Sequence, residues 1–266
     1  MGIVEESTNP IGVFDSGLGG LSVWRVLQKS LPSENFIYVA DSKHSPYGDK
    51  EEVEIIERSL AITDFLLSKN CKMIVVACNT ATAAAIQTLR ETYPTIPFIG
   101  MEPAIKLAAT KTKNNSVGVL ATAGTLKGKL YLETSQKYAS HVHTNIQAGK
   151  GLVEIVEEGK IGTVECHELL KKYIQPMLDD KADQIVLGCT HYPFLSEEIQ
   201  KITGPSVSLI DPAPAIAKQA ERILNDSRLK TNNENPSITF YTNGNIDRLK
   251  ALLNSIQKKP TEILSF

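Results

Sequence analysis

IVVACNTATAA (Ile74–Ala84) decides the fold, because the chain repeats it as IVLGCTHYPF (Ile185–Phe194). Each copy is a short run of β-branched and apolar residues, as in a strand buried on both faces. It ends on a Cys, followed by small or polar residues suited to a turn and a helix start. Two further pairs of segments flank this one in the same order. IGVFDSG from Ile11 corresponds to VGVLATAG from Val117, and IGMEPAIKLA from Ile99 to LIDPAPAIAKQA from Leu209. The spacing from Gly12 to Cys78 is close to that from Gly118 to Cys189, and Cys78 to Glu102 is close to Cys189 to Asp211. One short match arises easily by chance. Three collinear matches at near-equal spacing describe two copies of one α/β unit, expected to be related by a pseudo-two-fold axis.

The remaining sequence agrees with that unit. Ile11–Phe14, Phe36–Ala40, Met73–Ala77, Pro97–Met101, Val117–Leu120, Gln184–Leu187, Val207–Ile210 and Ile238–Tyr241 read as buried strands. Between them lie stretches with helical spacing, such as Val23, Val26, Leu27 and Leu31, or Ile56, Leu60, Thr63 and Leu67. Strands alternating with helices predict an α/β fold with mostly parallel sheets covered on both faces. The expected organisation is two pseudo-symmetric α/β domains: residues 1–104 with 214–266 returning to them, and residues 105–213. Ser227 to Pro236 reads as a loop. Ligands of open parallel sheets bind beyond the carboxyl ends of strands, so the two Cys-bearing ends are expected to face one cleft between the domains.

Bulk properties exclude several classes. The 266 residues are 42% hydrophobic with a net charge of −2, ample for a core and without a basic footprint for nucleic acid. Lys and Arg are scattered, no run approaches the length of a membrane span, and the opening MGIVEESTNP lacks a signal-peptide core and reads as a loose polar tail. A soluble cytoplasmic protein with neither nucleic-acid nor membrane partners is expected. The four cysteines, Cys71, Cys78, Cys166 and Cys189, include no CxxC pair, and reduced thiols are expected. Cys71 and Cys166 have no motif around them and read as buried filler.

The other two thiols carry the chemistry. Cys78-Asn79-Thr80 and Cys189-Thr190-His191 are each expected to open a helix, whose first-turn amides and dipole favour a carboxylate and a thiolate. Asn79, Thr80 and Thr190 add donors and acceptors for a small zwitterion; helix capping is the alternative use for them. Inverting a carbon centre needs a base on one face and an acid on the other, and duplicated halves supply such a pair. Asp15, at the end of the first strand, and His191 are candidate tuners of the two thiols; a helix cap and a structural hydrogen bond are their alternatives. Asp15-Ser16-Gly17-Leu18-Gly19-Gly20 is neither a dinucleotide fingerprint, since position 22 is Ser22, nor a P-loop; it reads as a tight turn that lets a ligand approach the backbone. Ser45-Pro46-Tyr47-Gly48 reads as a structured turn after Asp41. A zinc site built from Cys78, Cys189 and His191 competes, although Cys-x-His is not a usual chelate spacing. His141 and His143 would share a strand face, in a polar stretch without nearby Cys or Asp.

VFDSGLGG (Val13–Gly20), SPYG (Ser45–Gly48), VVACNTATA (Val75–Ala83) and LGCTHYPFL (Leu187–Leu195), in this order, resemble the glutamate racemases of the cofactor-independent aspartate/glutamate racemase family. The similarity runs from about Ile11 to the C-terminus. It implies interconversion of L- and D-glutamate without a cofactor, supplying D-glutamate for peptidoglycan. It implies Cys78 and Cys189 as proton donor/acceptors, Cys78 working on the D-enantiomer and Cys189 on the L-enantiomer. The implied substrate contacts are Asp15, Ser16, Tyr47, Gly48, Asn79, Thr80, Thr190 and His191. Glu157 aligns with an acidic residue that assists the second Cys, although the Cys-Pro segment that many members carry before it is here Ala148-Gly149-Lys150-Gly151-Leu152; a solvated helix face is its alternative. A homodimer is also implied. Competing readings are an aspartate racemase or hydantoin-acting relative, a non-catalytic amino-acid-binding module, and a zinc hydrolase. No pyridoxal-type Lys sits beside the motifs. A turnover of ~10 s⁻¹ would require a barrier of roughly 16 kcal/mol, and so weak a base as a thiolate reaches it only with desolvation and positioned donors.

Overall fold

A computed structural model describes residues 7–256 and 262–266; the polar tail expected at the N-terminus lies, over residues 1–6, outside the described residues. Ten strands are found there: β1 (Ile11–Asp15), β2 (Phe36–Ala40), β3 (Met73–Val76), β4 (Phe98–Gly100), β5 (Ser116–Ala121), β6 (His143–Ala148), β7 (Gln184–Gly188), β8 (Ser208–Ile210), β9 (Ile238–Thr242) and β10 (Glu262–Ser265). All their pairings are parallel, and they form a six-stranded sheet in the order β10-β9-β2-β1-β3-β4 and a four-stranded sheet in the order β6-β5-β7-β8. The run β2-β1-β3-β4 has the same connectivity as β6-β5-β7-β8, which is the duplication in three dimensions. The eight expected strands are present, and the loop near Ser227–Pro236 holds no helix or strand.

Two strands escaped the apolar pattern. β6 reads HTNIQA and is exposed or half-buried throughout; it exists because its backbone pairs with β5 from Ser116↔His143 to Ala121↔Ala148. β10 lies at the edge of the larger sheet, with Glu262 and Ser265 outward, where polar residues discourage further pairing. His143 begins β6 with Nε2 2.9 Å from Asp180 Oδ2, an exposed pairing across to the helix Val164–Asp179, so the expectation of no nearby Asp is corrected; His141 lies outside the strand.

Apolar layers cover both faces of the larger sheet. Val13, Tyr38, Val75 and Phe240 pack with Trp24 and Leu27 of the helix Leu21–Ser30 and with Ile216 and Ala220 of the helix Ala213–Asp226. The opposite face sets Phe14, Ile74 and Val76 against Ile62 and Leu66 of the helix Glu52–Ser68. That helix lies where its periodicity predicts, yet its buried face is Ile55, Ser59, Ile62, Thr63 and Leu66, whereas Ile56, Leu60 and Leu67 are half-buried. Ser59 can turn inward because its hydroxyl donates to the Ile55 carbonyl at 2.7 Å, leaving no unpaired polar group in the core. Cys71 and Cys166 are free thiols buried in the cores of the two sheets; burial alone pushes Cys71 up to about 12.

Strand register places the chemistry. Phe14 pairs with Val76 and Ala77 N–H donates to the Phe14 carbonyl at 2.8 Å, so the chain leaves β3 into Cys78 beside the end of β1. In the second sheet Ala121 pairs with Gly188, and Cys189 follows at once. Both sulfurs therefore stand at carboxyl ends of strands next to a central strand.

Candidate active site

Cys78 is the N-cap of the helix Asn79–Thr92, its Sγ accepting from Ala81 N–H at 3.4 Å, as expected of a thiol that opens a helix. Cys189 differs. After it come a turn and a short 3₁₀ segment, Tyr192–Leu195, and only then the helix Ser196–Thr203. Pro193 has no amide hydrogen to give to a full helical turn, so the second copy tightens locally.

One small cavity of about 10 Å³ is lined by both Cys78 and Cys189. Its lining includes Ser16, Tyr47 and Gly48 from the two loops, Asn79 and Thr80 after the first Cys, and Thr190 and His191 after the second. Every expected substrate-binding residue except Asp15 is therefore brought together. Asp15 lies behind the cavity, fully buried, and Glu157 sits to one side with its side chain 14% exposed.

Asp15 ties the glycine turn together beside the site; it does not cap the helix Leu21–Ser30, whose N-cap is Gly20 with no side-chain bond. Its Oδ2 accepts from the amides of Gly17 (3.2 Å) and Gly20 (2.9 Å), and Thr190 Oγ1 donates to its Oδ1 from the other sheet at 3.3 Å. Burial raises its pKa, opposed by the charge of His191 and the Gly20 amide. Desolvation also pushes the Cys78 thiol well up, and the Asp15 charge adds to this. The Cys78 side thus favours a proton on sulfur.

The Cys189 side has a different set of partners. His191 Nδ1 lies 3.7 Å from Cys189 Sγ, and its Nε2 lies 2.7 Å from Glu157 Oε1. Burial of His191 would lower its pKa; hydrogen bonds to Cys189 and Glu157, with their charges, outweigh it and raise the imidazole well above its ordinary value. The glycine turn serves this dyad. Leu18 N–H donates to Glu157 Oε1 at 2.6 Å, and the Gly19 amide lies 3.2 Å from His191 Nε2. A Cβ on Gly17 would stand 2.0 Å from Glu157 Oε1, and one on Gly19 2.3 Å from His191 Nδ1. The turn thus has two sides, Ser16 lining the cavity and the Gly17–Gly19 backbone packed on the Glu157–His191 pair, and the alternative of a solvated helix face for Glu157 falls.

Asn79 lines the cavity with an unsatisfied amide. It is buried, and neither Nδ2 nor Oδ1 has a protein partner. Buried amides without partners are rare and costly, and this one can donate to a carboxylate and accept from an ammonium.

Three participants were not singled out beforehand. Thr122 lines the cavity and its hydroxyl lies 2.8 Å from that of Thr80; it occupies the place in VGVLATAG that Ser16 holds in IGVFDSG, so the duplication contained the signal. Asp41 and Arg58 support the Tyr47-Gly48 turn. The fully buried Asp41 carboxylate accepts from Tyr47 Oη (2.5 Å), from Arg58 Nε (2.9 Å) and NH2 (2.7 Å), and from Asn243, and pairs with His44 Nδ1 at 2.9 Å. Burial would raise Asp41; these partners prevail and hold it below its ordinary value of 3.8. A depressed carboxylate stabilises the fold above its unfolded pKa and loses that contribution as pH falls through the folded one. Asp41→Asn is thus expected to flatten the loss of stability below about pH 4 in acid titrations followed by circular dichroism. It is also expected to raise KM by about 10-fold, more than it lowers kcat, because the turn it steadies lines the cavity.

Among the described residues no group of three or more His, Cys, Asp or Glu side chains is placed to hold a metal ion, and no helix is long and apolar enough to cross a membrane.

A parallel α/β duplication with a thiol from each copy at one cavity defines a class, and comparison with known proteins agrees with it. Residues 11–220 match the Asp/Glu/Hydantoin racemase family. The chain is 45% identical over 250 residues to the glutamate racemase of Ectopseudomonas mendocina, covering 94% of this chain and 95% of that one. It superposes on the crystal structure of glutamate racemase isoform RacE1 from Bacillus anthracis with a TM-score of 0.87, 30% identity and 97% coverage of both chains. Glutamate racemase from Francisella tularensis in complex with D-glutamate gives a TM-score of 0.84, again at 30% identity and 97% coverage of both. The chain belongs to the Asp/Glu/Hydantoin racemase family and is an isomerase, an amino-acid racemase.

Proposed function

We propose that this protein interconverts L- and D-glutamate without a cofactor, Cys78 and Cys189 taking and giving the α-proton on opposite faces, and that it supplies D-glutamate for peptidoglycan synthesis. The observation that carries this reading is the convergence of both cysteines, one from each sheet, on one cavity. The names of its relatives and the D-glutamate complex support the substrate. Cys78 works on the D-enantiomer and Cys189 on the L-enantiomer. Asn79, Thr80, Ser16, Tyr47, Gly48 and Thr190 hold the amino acid, Asp15 tunes Cys78, and His191 with Glu157 tunes Cys189. The site lies between a domain of residues 1–104 and 214–266 and a domain of 105–213. A cavity of about 10 Å³ admits little more than one water, so substrate is taken up as these domains part. The enzyme works in the cytoplasm as a homodimer.

Chelator-treated protein incubated with either enantiomer of glutamate, with optical rotation followed, is expected to reach the racemate with no added cofactor or metal. Racemisation of aspartate but not glutamate would move the substrate, and binding without inversion would leave only an amino-acid receptor. Asn79→Ala is expected to lower kcat/KM for glutamate by about 10- to 100-fold, the worth of one or two hydrogen bonds to charged groups. An unchanged kcat/KM would remove Asn79 from the site.

A further inference from the structure

We propose that the Cys189 half of the site has a proton outlet to solvent that the Cys78 half lacks, running from Cys189 Sγ through His191 and Glu157 into a separate cavity beneath Arg248. The inference rests on the racemase reading and adds to it a route and an asymmetry. Cys189 Sγ to His191 Nδ1 is 3.7 Å and His191 Nε2 to Glu157 Oε1 is 2.7 Å, so one imidazole spans from the sulfur to a carboxylate. Glu157 does not line the cavity shared by Cys78 and Cys189. It lines another of about 190 Å³, together with Leu18, Ser45, Glu154, Asn245 and Arg248. That volume is several times the ~30 Å³ share of a water molecule.

The chain of transfers balances. Once Cys189 carries the substrate's proton, the thiolate charge that helps hold His191 protonated is gone, and the imidazolium gives its extra proton through Glu157 to water. The thiol proton then passes to Nδ1 of the neutral ring as the Nε2 proton passes to Glu157, which releases it to water; a solvent proton returning along the same path restores the thiol. The Gly19 amide, 3.2 Å from Nε2, provides a donor for that nitrogen once its proton has left. Leu18 N–H at 2.6 Å holds Glu157 Oε1 in place through the exchange.

The Cys78 half ends inside the protein. Its Sγ meets Ser16 Oγ at 3.7 Å and the Ala81 amide at 3.4 Å. The Asp15 carboxylate behind it is fully buried and engaged by the amides of Gly17 and Gly20 and by Thr190 Oγ1, all buried groups. With the substrate enclosed, a proton on Cys78 has only the substrate to return to, whereas one on Cys189 exchanges.

The test compares loss of label with inversion. Each enantiomer of glutamate deuterated at Cα is incubated in H₂O, and loss of deuterium (proton NMR) is measured beside inversion (chiral chromatography) at low conversion. For the enantiomer that gives its proton to Cys189, here L-glutamate, label loss is expected to exceed inversion, because the exchanged proton returns to the same face. For D-glutamate the ratio is expected to be unity. Glu157→Gln, which keeps the shape but cannot take up a proton, is expected to bring the L-side ratio to unity whatever its effect on rate. Arg248→Trp, which caps the outer cavity from an exposed position, is expected to lower the same ratio with racemisation retained. Ratios of unity for both wild-type enantiomers, an equal excess on both sides, or an excess that survives Glu157→Gln or Arg248→Trp would overturn the outlet. No racemisation by the wild type at all would instead remove the function on which it rests.

Discussion

Alanine at either Cys78 or Cys189 is expected to lower racemisation of glutamate by about 10²–10⁴-fold in both directions, the usual worth of a positioned acid or base. The loss is symmetric because each thiol is needed in both directions, as base in one and acid in the other. Packing does not account for it. Cys78→Ala gives up a sulfur that caps a helix through Ala81, a change worth about 1 kcal/mol. Serine at either position keeps the volume but not an ionisable thiol, and is expected to be as inactive as alanine. Alanine at Cys71 or Cys166, buried and remote from the cavity lining, is expected to leave kcat/KM unchanged. Steady-state rates from both enantiomers check all of these. Full activity in Cys78→Ala or in Cys189→Ala would end the two-thiol mechanism.

The largest expected effect on stability comes from a pair that has no part in the chemistry. Lys72 Nζ donates to Glu34 Oε2 at 2.6 Å and to the Leu229 carbonyl at 2.8 Å, and also reaches Ser7 O; Glu34 Oε1 accepts from the Thr231 amide at 2.9 Å. Both side chains are almost fully buried, at 3% and 1% exposure. They fasten the loop between the helix Ala213–Asp226 and β9. Burial lowers the pKa of Lys72, and the hydrogen bond and charge of Glu34 oppose this. Lys72→Met leaves a carboxylate in the interior without its cation, which costs about 3–5 kcal/mol. Removing both charges, as Lys72→Met with Glu34→Leu, is expected to recover most of that loss, because a buried ion pair is repaid only in part by its own attraction. Urea denaturation of the two variants separates these outcomes; equal losses in the single and double variants would show that the loop contacts matter more than the uncompensated charge.

Much of the architecture was legible because it is written in apolar runs and written twice. The β-branched stretches at Ile74 and Ile185 are buried on both faces, and nothing else explains their composition. β6 was not legible, since an edge strand of polar residues is held by its neighbour's backbone and leaves no side-chain pattern. The innermost face of the helix Glu52–Ser68 was only partly legible, because a serine that bonds its own helix can be buried as readily as a leucine. At the site, the two thiols and the polar residues beside them came from motif and repeat. Asp41 and Arg58 did not, because their meeting depends on how β2, the Tyr47 turn and the helix Glu52–Ser68 converge. The use of the glycine turn was also hidden. Its amides serve Glu157 and His191 from the other sheet, a partnership that local sequence does not show.

A structure of this protein with D-glutamate bound tests the central claim most directly. Cα is expected between the two sulfurs, each within about 3–3.5 Å on opposite faces, with the α-carboxylate or ammonium on Asn79. Both sulfurs on one face of Cα, or either of them remote from it, would contradict the account.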